Sequence, residues 1–494
     1  MSRTGTVVAL AVAVLAGGCS TNPVSQRAEV TFTSTAEEIA IGIDQARKVD
    51  HSMGLAGSAE QQAYIAEIGR RLAASSPRGD VPYTFKIVDM AEPNAFALPG
   101  GPVYVSRGLI ALSNSEDELA CVLGHEIGHV AARHHARETK RHVIASPFTA
   151  VTGITGALTG IVAPRIGAAI AGVGDMAAGG ILASYSRDQE RESDTIGIRL
   201  AAENGWDPTS MSRFLQSLSR EDVLASGGER RTTFLDSHPA TTERMKTTAA
   251  DGAALSRADK PRIAPTQAEF FAKLDGLVVG EDPGAGIFRG ARFLHPKIGI
   301  SLKFPDQWET QLSHTFVAAA EPTMGAVIMI DSPGRSDDPL RGAAAVNRKL
   351  GFSLADVETV EVAGLPAARF VAHTRSRQGV IAVDLTWLVY EGRIYQFMGA
   401  MPVELYRDRQ TAFLEIAESF RPMTSAEFAG VTEKRLRIVK AREGETLRRL
   451  LERTNAAVSP AQAAVVNAMQ METVLTEGQL IKIVKEQPFS RTGR

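Results

Sequence analysis

The sequence predicts a multidomain protein: a mainly α-helical domain with a small sheet, then an α+β domain, then a small βααβ module. Its 494 residues are too many for one ordinary domain, because single hydrophobic cores stop growing at about 250–300 residues. Apolar residues recur at helical spacing early in the chain and alternate as in strands after about residue 290. We place the three units at residues 35–280, 281–425 and 434–486.

Composition is that of an ordinary globular protein, with 44% hydrophobic and 22% charged residues. The formal net charge is −2. Because a nucleic-acid-binding protein usually carries an excess of positive charge, we expect no nucleic acid among the partners.

The N-terminus has the pattern of an export signal. Arg3 precedes the apolar run TVVALAVAVLAGG, which is too short to span a bilayer and ends at Cys19. The sequence AGGCS resembles a bacterial lipobox, which implies that residues 1–18 are removed and that Cys19 carries a lipid anchor. Ser20 resembles the pattern of outer-membrane lipoproteins, and residues 19–34 would form a tether. The alternative is a plain secretory signal, and in both cases the protein is exported.

The elements of the first domain follow from periodicity. Residues 35–53 and 59–75 show helical spacing, and residues 83–89 alternate as in a strand. Ser115 followed by Glu118 forms a capping-box pattern, which predicts the start of a long helix through ELACVLGHEIGHVAARHH.

This helix carries a candidate metal site. His125 and His129 are four residues apart, so both imidazoles project from one helical face. At that spacing two ring nitrogens can reach one zinc ion at ~2.0–2.1 Å. Glu126 is near enough to take a proton from a water molecule at the metal, which completes the HExxH pattern. The alternative is a surface helix with incidental histidines.

A catalytic zinc ion needs a third protein ligand and an open position for water. The best candidate is Glu190, in the downstream run QERESD. Asp194 lies one helical turn later, where it could hydrogen-bond a ligand histidine and fix its tautomer. We therefore expect one zinc ion per chain. Taken alone, these acidic residues would also suit a solvated helix face.

Several motifs resemble one family of zinc metallopeptidases, the HtpX-like and CAAX prenyl protease family. They cover about residues 35–245, occur in the family's order, and read NAFALPGGPVYVSRGLI, HEIGH, YSRDQERESDTIGIRL, WDP and SHPATTER. The resemblance implies a zincin-type fold in which His125, His129 and Glu190 bind zinc. By the same resemblance Glu126 is the catalytic glutamate and Asp194 supports a ligand histidine.

The resemblance also implies a function. The protein would be a zinc endopeptidase in which Glu126 takes a proton from the attacking water and returns it to the leaving amine. The chain resembles the periplasmic branch of the family, with a role in protein quality control and with unfolded or misassembled envelope proteins as substrates. The rival interpretation is a chaperone or assembly scaffold with little proteolysis.

Other residues near the motifs have less certain roles. His238, in the HPxxxxR run that ends at Arg244, could stabilise the oxyanion or occupy the open metal position. Equally, it could be a helix-start histidine tied to its neighbours. We interpret Cys121 as a buried helix cysteine rather than a ligand. On a continued helix His134 and His135 would point away from the metal, so we expect both at the surface.

Two further segments complete the prediction. Residues 146–185 are rich in Gly, Ala and Ile, which predicts a packed hairpin or lid beside the site, with membrane-surface contact as the alternative. The last unit resembles a LysM module in EGETL, Asn467 and LTEGQLIKIV. That resemblance implies contact with peptidoglycan, while a module that only docks onto other domains is the alternative. Residues 281–425 contain no cluster of candidate ligands or nucleophiles.

Overall fold

The computed structural model describes residues 19–21, 28–30, 34–135, 185–225, 234–322, 325–350, 354–376 and 379–491. The predicted signal peptide, residues 1–18, and residues 146–184 of the predicted lid lie outside this part of the chain. A short antiparallel ribbon of β1 (Cys19–Thr21) and β2 (Ala28–Val30) precedes the first domain. Within the described ranges, no helix combines the length and the apolar character needed to cross a bilayer.

The first domain is mainly helical and contains a three-stranded sheet. Its strands are β3 (Thr84–Val88), β4 (Ala95–Ala97) and β5 (Pro102–Ser106), in the order β3-β5-β4 with β3 and β5 parallel. Its helices are α1 (Thr35–Ser52), α2 (Ala59–Ala73), α3 (Arg107–Leu112), α4 (Glu116–Ala131), α5 (Arg187–Glu203), α6 (Ser210–Ala225), α7 (Phe234–Ser237), α8 (Thr242–Ala254) and α9 (Gln267–Leu274). The predicted architecture of this domain is therefore present.

The central helix of this domain is α4, and all of its residues are buried. Ser115 accepts a hydrogen bond from the backbone N–H of Glu118, as the predicted cap requires. The Glu118 carboxylate, however, accepts from the Asn114 N–H at 2.7 Å instead of returning to Ser115. One of the two hydrogen bonds of the predicted capping box is therefore present, and the helix still begins at the predicted position.

Glycines allow α4 and α5 to cross at backbone distance. A Cβ atom on Gly124 would lie 2.8 Å from the carbonyl oxygen of Gly197, and one on Gly197 would lie 2.6 Å from the His125 nitrogen. A Cβ on Gly128 would lie 2.9 Å from the Ser193 Cα. Because larger residues would force these backbones apart, the glycines are what brings the HExxH helix against the helix that carries Glu190.

The second domain is built on an antiparallel seven-stranded sheet with apolar clusters on both faces. In order across the sheet, its strands are β12 (Glu358–Val362), β13 (Leu365–Ser376), β14 (Gly379–Tyr390), β15 (Arg393–Pro402), β11 (Val327–Gly334), β10 (Phe316–Ala320) and β9 (Glu309–Leu312). A second sheet has the order β16 (Arg421–Pro422), β8 (Ile300–Lys303), β7 (Arg292–His295), β6 (Ile287–Arg289). The helices are α10 (Leu340–Leu350), α11 (Val403–Arg409), α12 (Thr411–Glu418) and α13 (Ser425–Ala429), with single 3₁₀ turns at Pro283–Ala285 and Leu354–Asp356.

The C-terminal unit has the predicted order of strand, helix, helix, strand. Its elements are β17 (Thr432–Lys440), α14 (Leu447–Arg453), α15 (Pro460–Val466) and β18 (Leu480–Pro488). Residues 276–279, at the end of the first domain, lie beside β17: the Gly276 N–H donates to the Leu436 carbonyl at 2.9 Å, and the Leu436 N–H donates to the Leu277 carbonyl at 2.8 Å. The unit is thus joined to the helical domain by backbone hydrogen bonds.

A buried lysine adds to this junction. The Lys482 ammonium donates to the carbonyl oxygens of Ala111, Leu112 and Ser113 at 2.9, 3.2 and 2.7 Å. These carbonyls end α3, where the helix dipole favours a positive charge. The C-terminal unit therefore contacts the chain directly before α4.

Candidate metal centre

Four side chains from three segments converge at one point in the helical domain. His125 and His129 come from α4, Glu190 from the first turn of α5, and His238 from the residue after α7. One ligand atom from each lies within 4.8 Å of every other. The four side chains are buried, with 2% exposure at most.

The spacing of these atoms fits a tetrahedral ion. The His125 Nε2 atom lies 3.0 Å from His129 Nε2 and 3.2 Å from His238 Nδ1, and Glu190 Oε1 lies 2.8 Å from His238 Nδ1 and 3.3 Å from His129 Nε2. Ligand atoms bound to zinc at ~2.0–2.1 Å in a tetrahedron are separated by about 3.3 Å. Three imidazoles and one carboxylate are also the donor types that zinc prefers. The residues present therefore fit the ion.

Glu126 lies beside this cluster and differs from its neighbours in its hydrogen-bond partners. Its side chain is fully buried, yet neither carboxylate oxygen accepts a hydrogen bond from another side chain among the described residues. The Nε2 atom of His238 lies 3.7 Å from Glu126 Oε1. Burial raises the pKa of Glu126, although the nearby histidines and the backbone N–H of Ala97 act to lower it. A buried carboxylate without partners is costly and usually marks a functional position.

The second nitrogen of His125 is held by a carboxylate. Its Nδ1 lies 2.9 Å from Asp194 Oδ1. Arg244 binds both oxygens of Asp194, at 2.7 and 2.8 Å, and also lies 2.7 Å from Glu190 Oε2. Burial acts to raise the pKa of Asp194, but the hydrogen bonds from His125 and Arg244 outweigh it and lower the pKa. The predicted contact of Asp194 with a ligand histidine is present in this geometry.

Arg244 was not predicted as a member of the site. It ends the HPxxxxR run that begins with His238, and that run was the signal available in the sequence. The Arg244 Nη1 donates to the Pro239 carbonyl at 3.0 Å, so one arginine fixes the His238 segment and the acidic residues of α5 together.

Two aromatic rings enclose the cluster. Phe234 stacks on His238 with ring centroids 4.3 Å apart, and Tyr185 lies 3.8 Å from the ring of His129. Neither residue was predicted: Tyr185 begins the motif YSRDQERESDTIGIRL but was given no role, and no motif includes Phe234. These rings and the ligands are buried, so the cluster lies in the interior of the domain.

The structure corrects the prediction for the two histidines that follow the motif. His134 is fully buried and touches His129, with the two Nδ1 atoms 2.9 Å apart, and His135 is partly buried beside Tyr185. The prediction was wrong because it continued the helix, whereas α4 ends at Ala131. Glu192, which the sequence reasoning left out, contacts His134. Cys121 is buried and lies 3.6 Å from the Asp207 carbonyl, as expected for a structural cysteine.

Comparisons with known proteins agree with this geometry. Residues 59–250 match Peptidase family M48. The Beta-barrel assembly-enhancing protease of Yersinia pestis is 32% identical over 244 residues, which are 48% of this chain and 48% of that protein. The protein of the same name in Escherichia coli (strain K12) is 29% identical and covers 48% of this chain and 47% of its own length.

A third relative is more fully covered. Metalloprotease YcaL of Escherichia coli (strain K12) is 29% identical over 48% of this chain and 92% of its own length. The chain spans about half the length of the two assembly-enhancing proteases. In all three relatives the match covers about half of this chain, and the family match includes the helices α4 and α5 that carry the cluster. These matches confirm the resemblance found in the sequence motifs: over residues 59–250 the chain is similar to peptidase family M48.

Proposed function

We propose that this protein is a zinc-dependent endopeptidase of the bacterial cell envelope. The observation that carries the proposal is the cluster of four donor atoms with an unbonded, buried glutamate beside it. A structural zinc site needs no such glutamate, whereas hydrolysis needs a general base next to the ion.

Each residue has a distinct role in the proposed reaction. Zinc, when bound, supplies a Lewis acid that polarises the scissile carbonyl and lowers the pKa of water. His125, His129 and Glu190 hold the ion. Glu126 takes the proton from the attacking water and delivers it to the leaving amine, because its oxygens are not engaged by other groups. Asp194 orients the ring of His125 through its contact with the Nδ1 atom.

We assign His238 to the fourth metal position in the closed, resting state. Its Nδ1 lies as close to His125 and Glu190 as a fourth ligand would, which supports this role over that of a helix-start residue. His238 then has to leave before water and a peptide can enter. Replacing His238 with alanine should change both zinc affinity and proteolysis, and no change in either would contradict the assignment.

The decisive experiment pairs zinc content with proteolysis. Wild type and Glu126→Gln are purified in parallel, analysed for zinc, and assayed with casein. We expect one zinc ion in each and casein cleavage by the wild type alone. Zinc-loaded wild type that binds unfolded protein but cleaves nothing would instead support the chaperone or scaffold. The burial of the metal site is compatible with that alternative.

Location and substrates follow from the N-terminus and from the names of the relatives. We propose that Cys19 is lipidated, that the protein lies in the periplasm at the outer membrane, and that it degrades unfolded or misassembled envelope proteins. Two relatives are named for assembly of β-barrels, which favours barrel proteins as the substrate class. Release of Cys19→Ser from the membrane fraction would support the anchor, and unchanged membrane association would contradict it.

For the C-terminal unit, the contacts favour docking over peptidoglycan binding. The bonds of residues 276–279 to β17 and of Lys482 to the end of α3 make it a support for the peptidase domain. Co-sedimentation of the protein with purified peptidoglycan, lost on mutation of this unit, would favour the glycan-binding alternative.

A further inference from the structure

The chain turns sharply just after the HExxH helix. Ala132 is the C-cap of α4, and Arg133 has a φ of 56°, a left-handed conformation that costs a non-glycine residue about 1 kcal/mol or more. The Arg133 guanidinium is fixed by Glu38 of α1, with its Nε 2.7 Å from Glu38 Oε1. This turn reverses the chain and brings His134 back beneath His129.

His134 connects a metal-site histidine to a carboxylate. Its Nδ1 lies 2.9 Å from His129 Nδ1, and its Nε2 lies 3.1 Å from Glu192 Oε2. The Ser193 hydroxyl lies 3.3 Å from the same Nδ1. His134 is fully buried, whereas the side chain of Glu192 is 21% exposed. His129, His134 and Glu192 therefore form a hydrogen-bonded row that runs from the metal position to the edge of the domain.

The chemistry of the row allows one arrangement of protons. Because His129 presents Nε2 to the metal position, its proton is on Nδ1. That N–H can donate only if the Nδ1 of His134 is bare, which places the proton of His134 on Nε2. The Nε2–H then donates to Glu192. Each hydrogen bond therefore fixes the tautomer of the next ring.

We propose that His134 and Glu192 are positioning residues for His129, fixing its tautomer and the orientation of its ring for metal binding. They do for His129 what Asp194 and Arg244 do for His125, with one imidazole inserted between ligand and carboxylate. This inference rests on the proposed function, since it assumes that His129 binds zinc.

The test compares zinc affinity in variants of the row. Zinc dissociation constants are measured by chelator competition for wild type, His134→Leu and His134→Asn. Leucine keeps the volume but removes the acceptor, so affinity should fall about 10–100-fold. Asparagine places an oxygen near the position of Nδ1, so it should recover most of the loss. Absorption of the cobalt-substituted proteins should shift in His134→Leu, because the ligand ring is no longer held.

Two further variants separate positioning from folding. Glu192→Leu, at the partly exposed end of the row, should fold normally and weaken zinc binding about threefold or more. His295→Leu makes the same exchange at a histidine of the second domain and should leave zinc affinity unchanged.

The outcomes distinguish this inference from the function on which it rests. His134→Leu and Glu192→Leu that bind zinc within about twofold of wild type, with an unchanged cobalt spectrum, would overturn the positioning role. Wild type that binds neither zinc nor cobalt would overturn the proposed function itself. Asparagine that fails to restore affinity in a folded protein would also contradict the hydrogen-bonded row.

Discussion

Two glutamates ten residues apart on α4 are both buried, but their surroundings are opposite. The Glu116 carboxylate accepts four hydrogen bonds, from the Tyr64 hydroxyl, the Trp206 indole and the backbone N–H groups of residues 263–264, at 2.5 to 2.8 Å. Glu126 accepts none from any other side chain of the described residues.

The difference shows that burial of a charge does not by itself identify a functional group. Glu116 ties α4 to α2, to the segment after α5 and to the segment before α9, so its charge is matched by donors and serves the fold. Glu126 has no such donors, which leaves its oxygens for a water molecule or substrate. An unmet hydrogen-bonding capacity is therefore the better sign of the end of the helix for which we propose a catalytic role.

The largest expected difference between the two glutamates is in catalysis. Glu126→Gln should lower kcat about 10²–10⁴-fold, because the general base is lost. Glu116→Gln, assayed at a temperature where it is folded, should keep kcat within about threefold, since Glu116 does not touch the metal cluster. Casein hydrolysis by the two zinc-loaded variants measures this directly. Equal losses in both would remove the distinction between them.

For stability we expect the opposite order: replacing Glu116 should lower the free energy of unfolding more than replacing Glu126. In Glu116→Gln an amide NH₂ replaces one oxygen, so donors that met that oxygen lose their acceptor, and the free energy of unfolding should fall by about 2 kcal/mol. Glu126→Gln should change it by less than about 0.5 kcal/mol or increase it, because an unpaired buried carboxylate is removed. Denaturant unfolding at a fixed zinc concentration provides the measurement. A large loss in Glu126→Gln would mean that its oxygens have structural partners.

The surroundings of Asp194 are intermediate between those of Glu116 and Glu126. Arg244 donates hydrogen bonds to its carboxylate, which also contacts His125. Asp194→Asn should weaken zinc binding about tenfold and leave Glu126 in place to act as base. Chelator competition together with kcat at saturating zinc separates the two effects. A loss of kcat without any loss of zinc affinity would show that Asp194 acts on the reaction by another route.

Lys482 extends the comparison to a buried cation. Its three carbonyl acceptors make it resemble Glu116, so Lys482→Met should lower the free energy of unfolding by about 1 kcal/mol and leave kcat unchanged. Hydrogen exchange should show faster opening of β18. A marked fall in kcat in the folded variant would instead show that the C-terminal unit adjusts the metal site.

The sequence predicted the parts of the site that local spacing determines. The helical repeat places His125 and His129 on one face, and the pairing of α4 with α5 brings Glu190 to them as the motifs implied. The error at His134 came from the same repeat, because the left-handed Arg133 that ends the helix depends on its contact with Glu38 of a distant helix.

Contacts between distant segments could not be predicted. The docking of residues 276–279 on β17 is made mainly by backbone groups, which carry no side-chain signature, with one added bond from Arg435 to the Gly276 carbonyl. Arg244 could be read as part of a motif, but its bonds to both Asp194 and Glu190 appear only when α8 and α5 are packed together. The domain classes, by contrast, followed from the change in hydrophobic periodicity and are present in the structure.

The glycine crossing of α4 and α5 also decides when the complete metal cluster can form. Until Gly124 and Gly197 meet, Glu190 is not beside the two histidines of α4, and a pair of imidazoles holds zinc weakly. A newly synthesised chain therefore carries its general base without the ion that the base serves. If the proposed function is right, peptide-bond hydrolysis needs this crossing to be packed, and a chain that has not yet folded lacks the metal site.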